Sequence, residues 1–254
     1  MTATRQRAPA AALLAATLVL AATTVLLQVA YPLVHGPARN TLTVVTVVTF
    51  FLASAMHALA ARGAPWTAAF VAVTAGTGLV AEAVGVRTGL PFGRYIYADS
   101  LGLKVLDVPL VVPLAWSMFA YPSLLVGQRL CRSATGAAVT GALALASWDL
   151  FLDPQMVAAG HWRWSNVTHH LPGVDHVPVS NFLGWGLVAL LMTAALQRLP
   201  RHDVDDRVPH GLFLWTFVSS VLANAVFFDR PGVALVGGVV MGTVALPFLR
   251  SLRG

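Results

Sequence analysis

Charge is scarce in this chain. Only 10% of its 254 residues are Asp, Glu, Lys or Arg, while 57% are hydrophobic. A soluble domain of this length carries about a quarter charged residues. A water-soluble fold could not hide so much apolar surface, so lipid must be the solvent for most of the chain. Cysteine is nearly absent as well. Cys131 stands alone, which excludes an intramolecular disulfide and a Cys-based metal centre. No polar stretch is long enough to fold separately, so residues 1–254 are read as a single integral-membrane domain. The net charge of +6 does not mark a nucleic-acid surface either. The sixteen basic residues are scattered through the gaps between apolar runs, the pattern of anchors against membrane lipid.

What is present is a series of apolar runs of membrane-spanning length, about 20 residues each. They predict an all-α, polytopic membrane helix bundle. Eight transmembrane helices are expected near 10–33, 41–61, 65–86, 107–128, 135–152, 181–199, 210–228 and 232–249. The fifth is among the shortest, and without it the count is seven. The first run follows Arg5-Gln6-Arg7, but it exceeds a signal-peptide core in length and is followed by further spans, so it reads as the first helix. With the N-terminus inside, ten Lys and Arg fall on the inner side and six on the outer, which predicts that both termini are cytoplasmic.

The acids sort more sharply. Asp203, Asp205 and Asp206 share the polar gap 200–209, while Glu82, Asp99, Asp107, Asp149, Asp153, Asp175 and Asp229 all fall toward the opposite face. Two long gaps on that second face carry aromatics, in Phe92-Gly93-Arg94-Tyr95-Ile96-Tyr97 and in His161-Trp162-Arg163-Trp164. An ungapped offset of 69 residues relates them: Arg94-Tyr95 maps to Arg163-Trp164, Val108-Pro109 to Val177-Pro178, and Trp116 to Trp185. The hairpins 65–128 and 135–199 are therefore expected to form an internal repeat that frames a site between its halves.

Glu82, the only glutamate, lies four residues before the expected end of the third span. A carboxylate at that depth is expensive, so it is expected to hold its proton, as a general acid must, or to be paired with Arg87 or Arg94. Asp149 and Asp153 are spaced i, i+4, which sets both carboxyl groups on one helix face about 6 Å apart. One of the two is expected to hold a proton, so the pair can divide acid and base roles. Their spacing also matches that of membrane prenyltransferases, which hold a diphosphate through magnesium, but the second Asp-rich cluster such enzymes need is missing from this face. Asp153 before Pro154 also fits a helix-ending turn. Asp203-Val204-Asp205-Asp206 resembles the acid motif of soluble terpene cyclases. Set among Arg201, His202 and Arg207, it reads instead as a solvated charge run whose replacement by Asn changes little.

Tyr95, Tyr97, Trp116, Trp148, Trp162, Trp164 and Trp185 lie near the acidic face. Such rings anchor helices at interfaces, and they also stabilise cations. His161, His169, His170 and His176 lack the repeated histidine clusters of membrane di-iron oxygenases, so no metal is expected. Asn181 and Asn224, near outer helix ends, are candidates to bind an acid or a water, or simply to join helices.

The string from Glu82 to Gly89, then Pro91-Phe92-Gly93-Arg94-Tyr95-x-Tyr97 and Val108-Pro109-Leu110, resembles the integral-membrane carotenoid biosynthesis family. So do Asp153-Pro154-Gln155-Met156, Gly160-His161-Trp162-Arg163-Trp164 and the run from Val177 to Trp185, within a likeness covering roughly 45–250. The loop from Ser165 to His176 is longer and richer in histidine than the family pattern. The resemblance implies a carotenoid hydratase, a multi-pass protein of the cell membrane. Such an enzyme adds water across the terminal C1–C2 double bond of an acyclic carotenoid ψ-end without cofactor or metal. On that reading Glu82 or Asp149 donates the proton. Asp153 and Asn181 orient water, and the substrate lies against the aromatic residues with Arg94 and Arg163. A cyclase sharing the protonation step, and a proton-coupled transporter or non-catalytic membrane subunit, are the alternatives.

Overall fold

A computed structural model describes the backbone of residues 2–253 and the side chains of residues 12–253. Arg5 and Arg7, which weigh in the orientation count, fall outside the described side chains. Among the described residues there are eight α-helices: α1 (Thr2–Ala30), α2 (Pro37–Arg62), α3 (Ala64–Thr88), α4 (Val111–Leu130), α5 (Ala134–Ala158), α6 (Val179–Leu196), α7 (Arg207–Leu222) and α8 (Pro231–Ser251). Punctuation residues set the boundaries. Proline in the first turn opens α2, α3 and α8, where its missing N–H costs nothing. Gly89 ends α3 in a left-handed conformation, its N–H closing on the Gly85 carbonyl at 2.7 Å. The Ser133 side chain caps α5 by accepting from Gly136 N–H.

Seven helices are long and apolar enough to cross a bilayer, among the described residues, and the one that falls short is α4 rather than the fifth. The fifth helix runs 25 residues and passes straight through Pro154, so Asp153 is an interior helical residue and not a turn residue. Neighbouring helices support the backbone groups that a proline frees, which is why a membrane bundle tolerates it. At 20 residues α4 still spans about 30 Å. Its sequence is less apolar because it meets protein, not lipid: every residue from Trp116 to Gly127 is buried. Polar groups on it bond across helices, Ser117 with Thr74 at 2.8 Å, and Ser54 Oγ donates to the Met118 carbonyl. Gly127 lets α4 and α5 approach until a Cβ there would strike the backbone of Ala137 and Gly141. Lipid-facing leucines and valines line the outer helices, for example Leu183, Leu187 and Leu191 on α6.

At one end of the bundle the chain between α3 and α4 forms β1 (Tyr95–Tyr97), β2 (Lys104–Val105) and β3 (Val108–Pro109), and that between α5 and α6 forms β4 (Trp162–Trp164). Strand β1 pairs antiparallel with β4, joining the two aromatic loops into one lid.

The other end corrects the reading of the loop acids. Asp206 is no solvated charge. Both of its oxygens accept from Arg62 Nη2 at 2.8 Å, and the Arg62 side chain is only 2% exposed. Arg62 also donates to the Tyr121 hydroxyl, which His57 Nδ1 meets at 2.9 Å, and its guanidinium lies over the Trp66 and Tyr121 rings. Asp205 behaves as expected, exposed and held low by Arg207 at about 2. The difference arises because Asp206 sits directly before α7, where the chain turns back over the end of α2.

Candidate functional site

The lid strands obey period two. Register places Tyr95 opposite Trp164 and Tyr97 opposite Trp162, all on the inner face, and Ile96 opposite Arg163 on the outer. Parity thus turns Arg163 out to solvent, and Arg94, one residue before the strand, is exposed too. Neither lines the cavity beneath the lid. The four inward rings form it as a set, with Tyr97 and Trp162 edge to face at 5.5 Å and Tyr95 and Trp164 tilted at 5.7 Å.

Beneath the lid Glu82 is held by neutral donors alone. Its Oε2 accepts from the Tyr95 hydroxyl at 2.5 Å and the Tyr97 hydroxyl at 2.7 Å, and its Oε1 accepts from Trp116 Nε1 at 3.0 Å. The basic partners considered from sequence are elsewhere: Arg87 lies 3.8 Å from Asp107, and Arg94 faces water. Burial, the largest cause, pushes both tyrosine phenols well above their ordinary range, so they keep their hydroxyl protons.

The aspartate pair sits on α5, and one amide bridges it. Asn181 Nδ2 donates to Asp149 Oδ2 at 2.7 Å and, by a short bond, to Asp153 Oδ2. Trp162 Nε1 donates to the remaining Asp153 oxygen at 3.1 Å, whereas Asp149 Oδ1 is buried with no partner. Asp153 lines the cavity with Glu82 and Asn181, and Asp149 lies behind it, off the wall and fully buried. Asn224, the other candidate amide, reaches no acid, since its Nδ2 donates to the Ser220 carbonyl.

The floor is indole. Trp116 and Trp185 stack at 3.8 Å, and Trp148 meets Trp185 edge-on at 6.2 Å. All three line the cavity. Gly78 makes room for this stack. A Cβ there would meet the Trp116 ring at 2.9 Å, and Trp116 is fully buried and stacked on Trp185. Gly78→Ala should cost about 1–3 kcal/mol of stability and loosen the Trp116 bond to Glu82. An unchanged melting curve in detergent would show that the ring can shift freely.

The cavity holds about 160 Å³. A cavity of roughly 150 Å³ accommodates a benzene-sized molecule, so this one suits the end of an isoprenoid chain, with the remainder of a long polyene outside it. Sequence reading missed a second wall altogether. It consists of Thr46 on α2, Ser219 and Ser220 on α7, and Gln28 on α1. The available signal was isolated polar residues inside apolar runs. His161 lies under the lid, its Nδ1 2.8 Å from Ser100 Oγ, and burial lowers its pKa. Among the described residues no group of three or more His, Cys, Asp or Glu side chains is disposed to hold a metal ion.

Comparison with known proteins agrees with this picture. Residues 42–248 match the family model described as carotenoid biosynthesis protein. The chain is 33% identical over 185 residues to the bisanhydrobacterioruberin hydratase of Haloarcula japonica, an alignment covering 66% of this chain and 60% of that protein. It thus spans about 60% of the length of this curated relative. No solved structure matches the chain. A match across nearly all of the bundle, lid and acid-bearing helices included, means that the chain belongs to the carotenoid biosynthesis protein family of integral membrane proteins.

Proposed function

We propose that the chain hydrates the terminal C1–C2 double bond of an acyclic carotenoid end group, giving a tertiary alcohol without a cofactor. The observation that carries the reading is that Glu82 and Asp153 share one aromatic cavity sized for an isoprenoid end. Hydration needs a proton delivered to C2, shelter for the tertiary cation left at C1, and a base for the attacking water. Donor geometry suggests which acid does what. An indole N–H and an amide N–H can only donate. Both Asp153 oxygens face such groups, so Asp153 is suited to act as the carboxylate that takes the proton from water. Asp149, with an unoccupied oxygen, would hold the proton of the pair. On Glu82, Oε1 faces the Trp116 N–H, so its proton belongs on Oε2, where a tyrosine hydroxyl can turn from donor to acceptor. The indole faces would stabilise the cation by about 1–2 kcal/mol each once water is excluded.

The relative named as a hydratase supports the same chemistry. The two hairpins are read as an internal repeat, which is supported by residues related by the 69-residue offset meeting in space, Tyr95 with Trp164 and Trp116 with Trp185. The Lys and Arg count favours both termini in the cytoplasm of a plasma-membrane protein, with the acid end outside.

The test is expression in cells that make lycopene or a C50 acyclic carotenoid, with pigments read by mass spectrometry. The expected product gains the mass of one water at a ψ-end. Pigments of unchanged mass and unchanged structure would overturn the reading, while an isomer of unchanged mass with a ring would indicate cyclisation.

A further inference from the structure

Hydration requires a water inside a hydrocarbon pocket, and every oxygen of Glu82 and Asp153 on the acid wall already accepts at least one hydrogen bond. The second wall holds a hydroxyl with none. Eight other helical threonines, Thr43 and Thr216 among them, donate to the carbonyl four residues back. This is the usual way for a threonine to satisfy itself in a helix. Thr46 is different. It is 8% exposed, its hydroxyl has no partner, and it lines the cavity. Across from it in sequence, Ser219 and Ser220 bring two more hydroxyl groups from α7 to the same cavity. Ser219 makes only a long bond of 3.4 Å, to the Thr216 carbonyl. A purely hydrocarbon end group gives none of these groups a partner, and a buried hydroxyl without one is costly.

We infer that Thr46, with Ser219 and Ser220, forms a water-holding subsite that supplies the nucleophile, resting on the hydratase reading above. The acid wall transfers a proton to C2, and the alkene pair of electrons forms the new C–H bond. The water held by the second wall then bonds through oxygen to the C1 cation. The proton it loses passes to a carboxylate of the acid wall, so the net change is one alkene plus one water giving one alcohol.

This division separates two events that deuterium can resolve. A cation that finds no water loses a proton back to the enzyme and returns as alkene, which in D₂O carries deuterium. Thr46→Val removes the hydroxyl with little change of shape. The purified, detergent-embedded protein is incubated in D₂O with an acyclic carotenoid that the wild type hydrates. Thr46→Val is expected to lower alcohol formation about tenfold while recovered substrate still gains deuterium at the wild-type rate or faster. Thr46→Ser, which keeps a hydroxyl, should restore alcohol formation to near wild type. Ser220→Ala should show the same split as Thr46→Val. Unchanged hydration in Thr46→Val overturns the subsite. So does a parallel loss of hydration and deuterium uptake, because Thr46 would then be placing substrate or supporting the fold. A wild type that neither hydrates nor deuterates any acyclic carotenoid is a different result, and it removes the hydratase reading together with the subsite.

Discussion

Replacing Glu82 by Gln should reduce water addition about 10²–10⁴-fold, the range contributed by a positioned general acid, while leaving membrane insertion and folding intact. Glutamine keeps the size of the side chain, and its carbonyl can still accept from Trp116 Nε1. Its amide brings N–H groups toward Tyr95 and Tyr97 and has no proton to give an alkene. Deuterium uptake into substrate should vanish along with the alcohol, in contrast to the Thr46 variants. Asp149→Asn should act in the same direction by removing the proton of the aspartate pair, although Asp149 does not touch the cavity. Wild-type product from folded Glu82→Gln protein would remove Glu82 from the chemistry. The aromatic lid would then have to serve Asp153 alone.

The second large effect belongs to the other end of the bundle and concerns stability. Asp206→Asn should destabilise the protein by about 3 kcal/mol, toward the lower end of what breaking a buried ion pair costs. The reason is what remains: Arg62, 2% exposed, would keep its charge with no counter-ion, against Tyr121 and Trp66. Asp206 itself is 14% exposed, so some solvent screening keeps the cost from the top of that range. Asp203→Asn and Asp205→Asn should stay within about 0.5 kcal/mol, as surface changes usually do. Denaturant unfolding of the detergent-solubilised protein measures all three. Replacing both partners, as Arg62→Met with Asp206→Leu, should recover much of the loss, because an apolar pair avoids the desolvation that the ion pair must offset. Equal stability of Asp206→Asn and Asp203→Asn would mean that Arg62 finds water in the folded state.

The contrast between these two ends shows where sequence reading stops. A count of acids placed Asp206 in a polar loop, and nothing in Asp203-Val204-Asp205-Asp206 tells which of three aspartates the fold directs onto Arg62, far away in the chain. Pro154 reads in the sequence as a stop for the fifth span, but a proline stops a helix only where no neighbour supports the backbone around it, and α5 runs on to Ala158. The fourth helix was counted as an ordinary span, although it turned out to be the one sheathed by protein. The family resemblance sets Arg94 and Arg163 beside the substrate, and strand parity, a property of pairing, turns them outward.

Sequence by itself determined the solvent, the class of fold and the chemistry at hand. Hydropathy, residue spacing and scarcity of charge are local properties, and they sufficed to give a helical membrane bundle, an acidic face and an aspartate pair on one side of a helix. Only the tertiary structure decided which acid meets the cavity, which donors hold it and which hydroxyl is left unsatisfied. Those facts depend on the rotation of each helix about its axis and on contacts between distant segments. Glu82 owes its partners to a β-strand thirteen residues on and to another helix, and Asp153 owes its amide to α6. Thr46 stands out only because its neighbours in space, and not its neighbours in sequence, leave its hydroxyl facing the cavity without a partner.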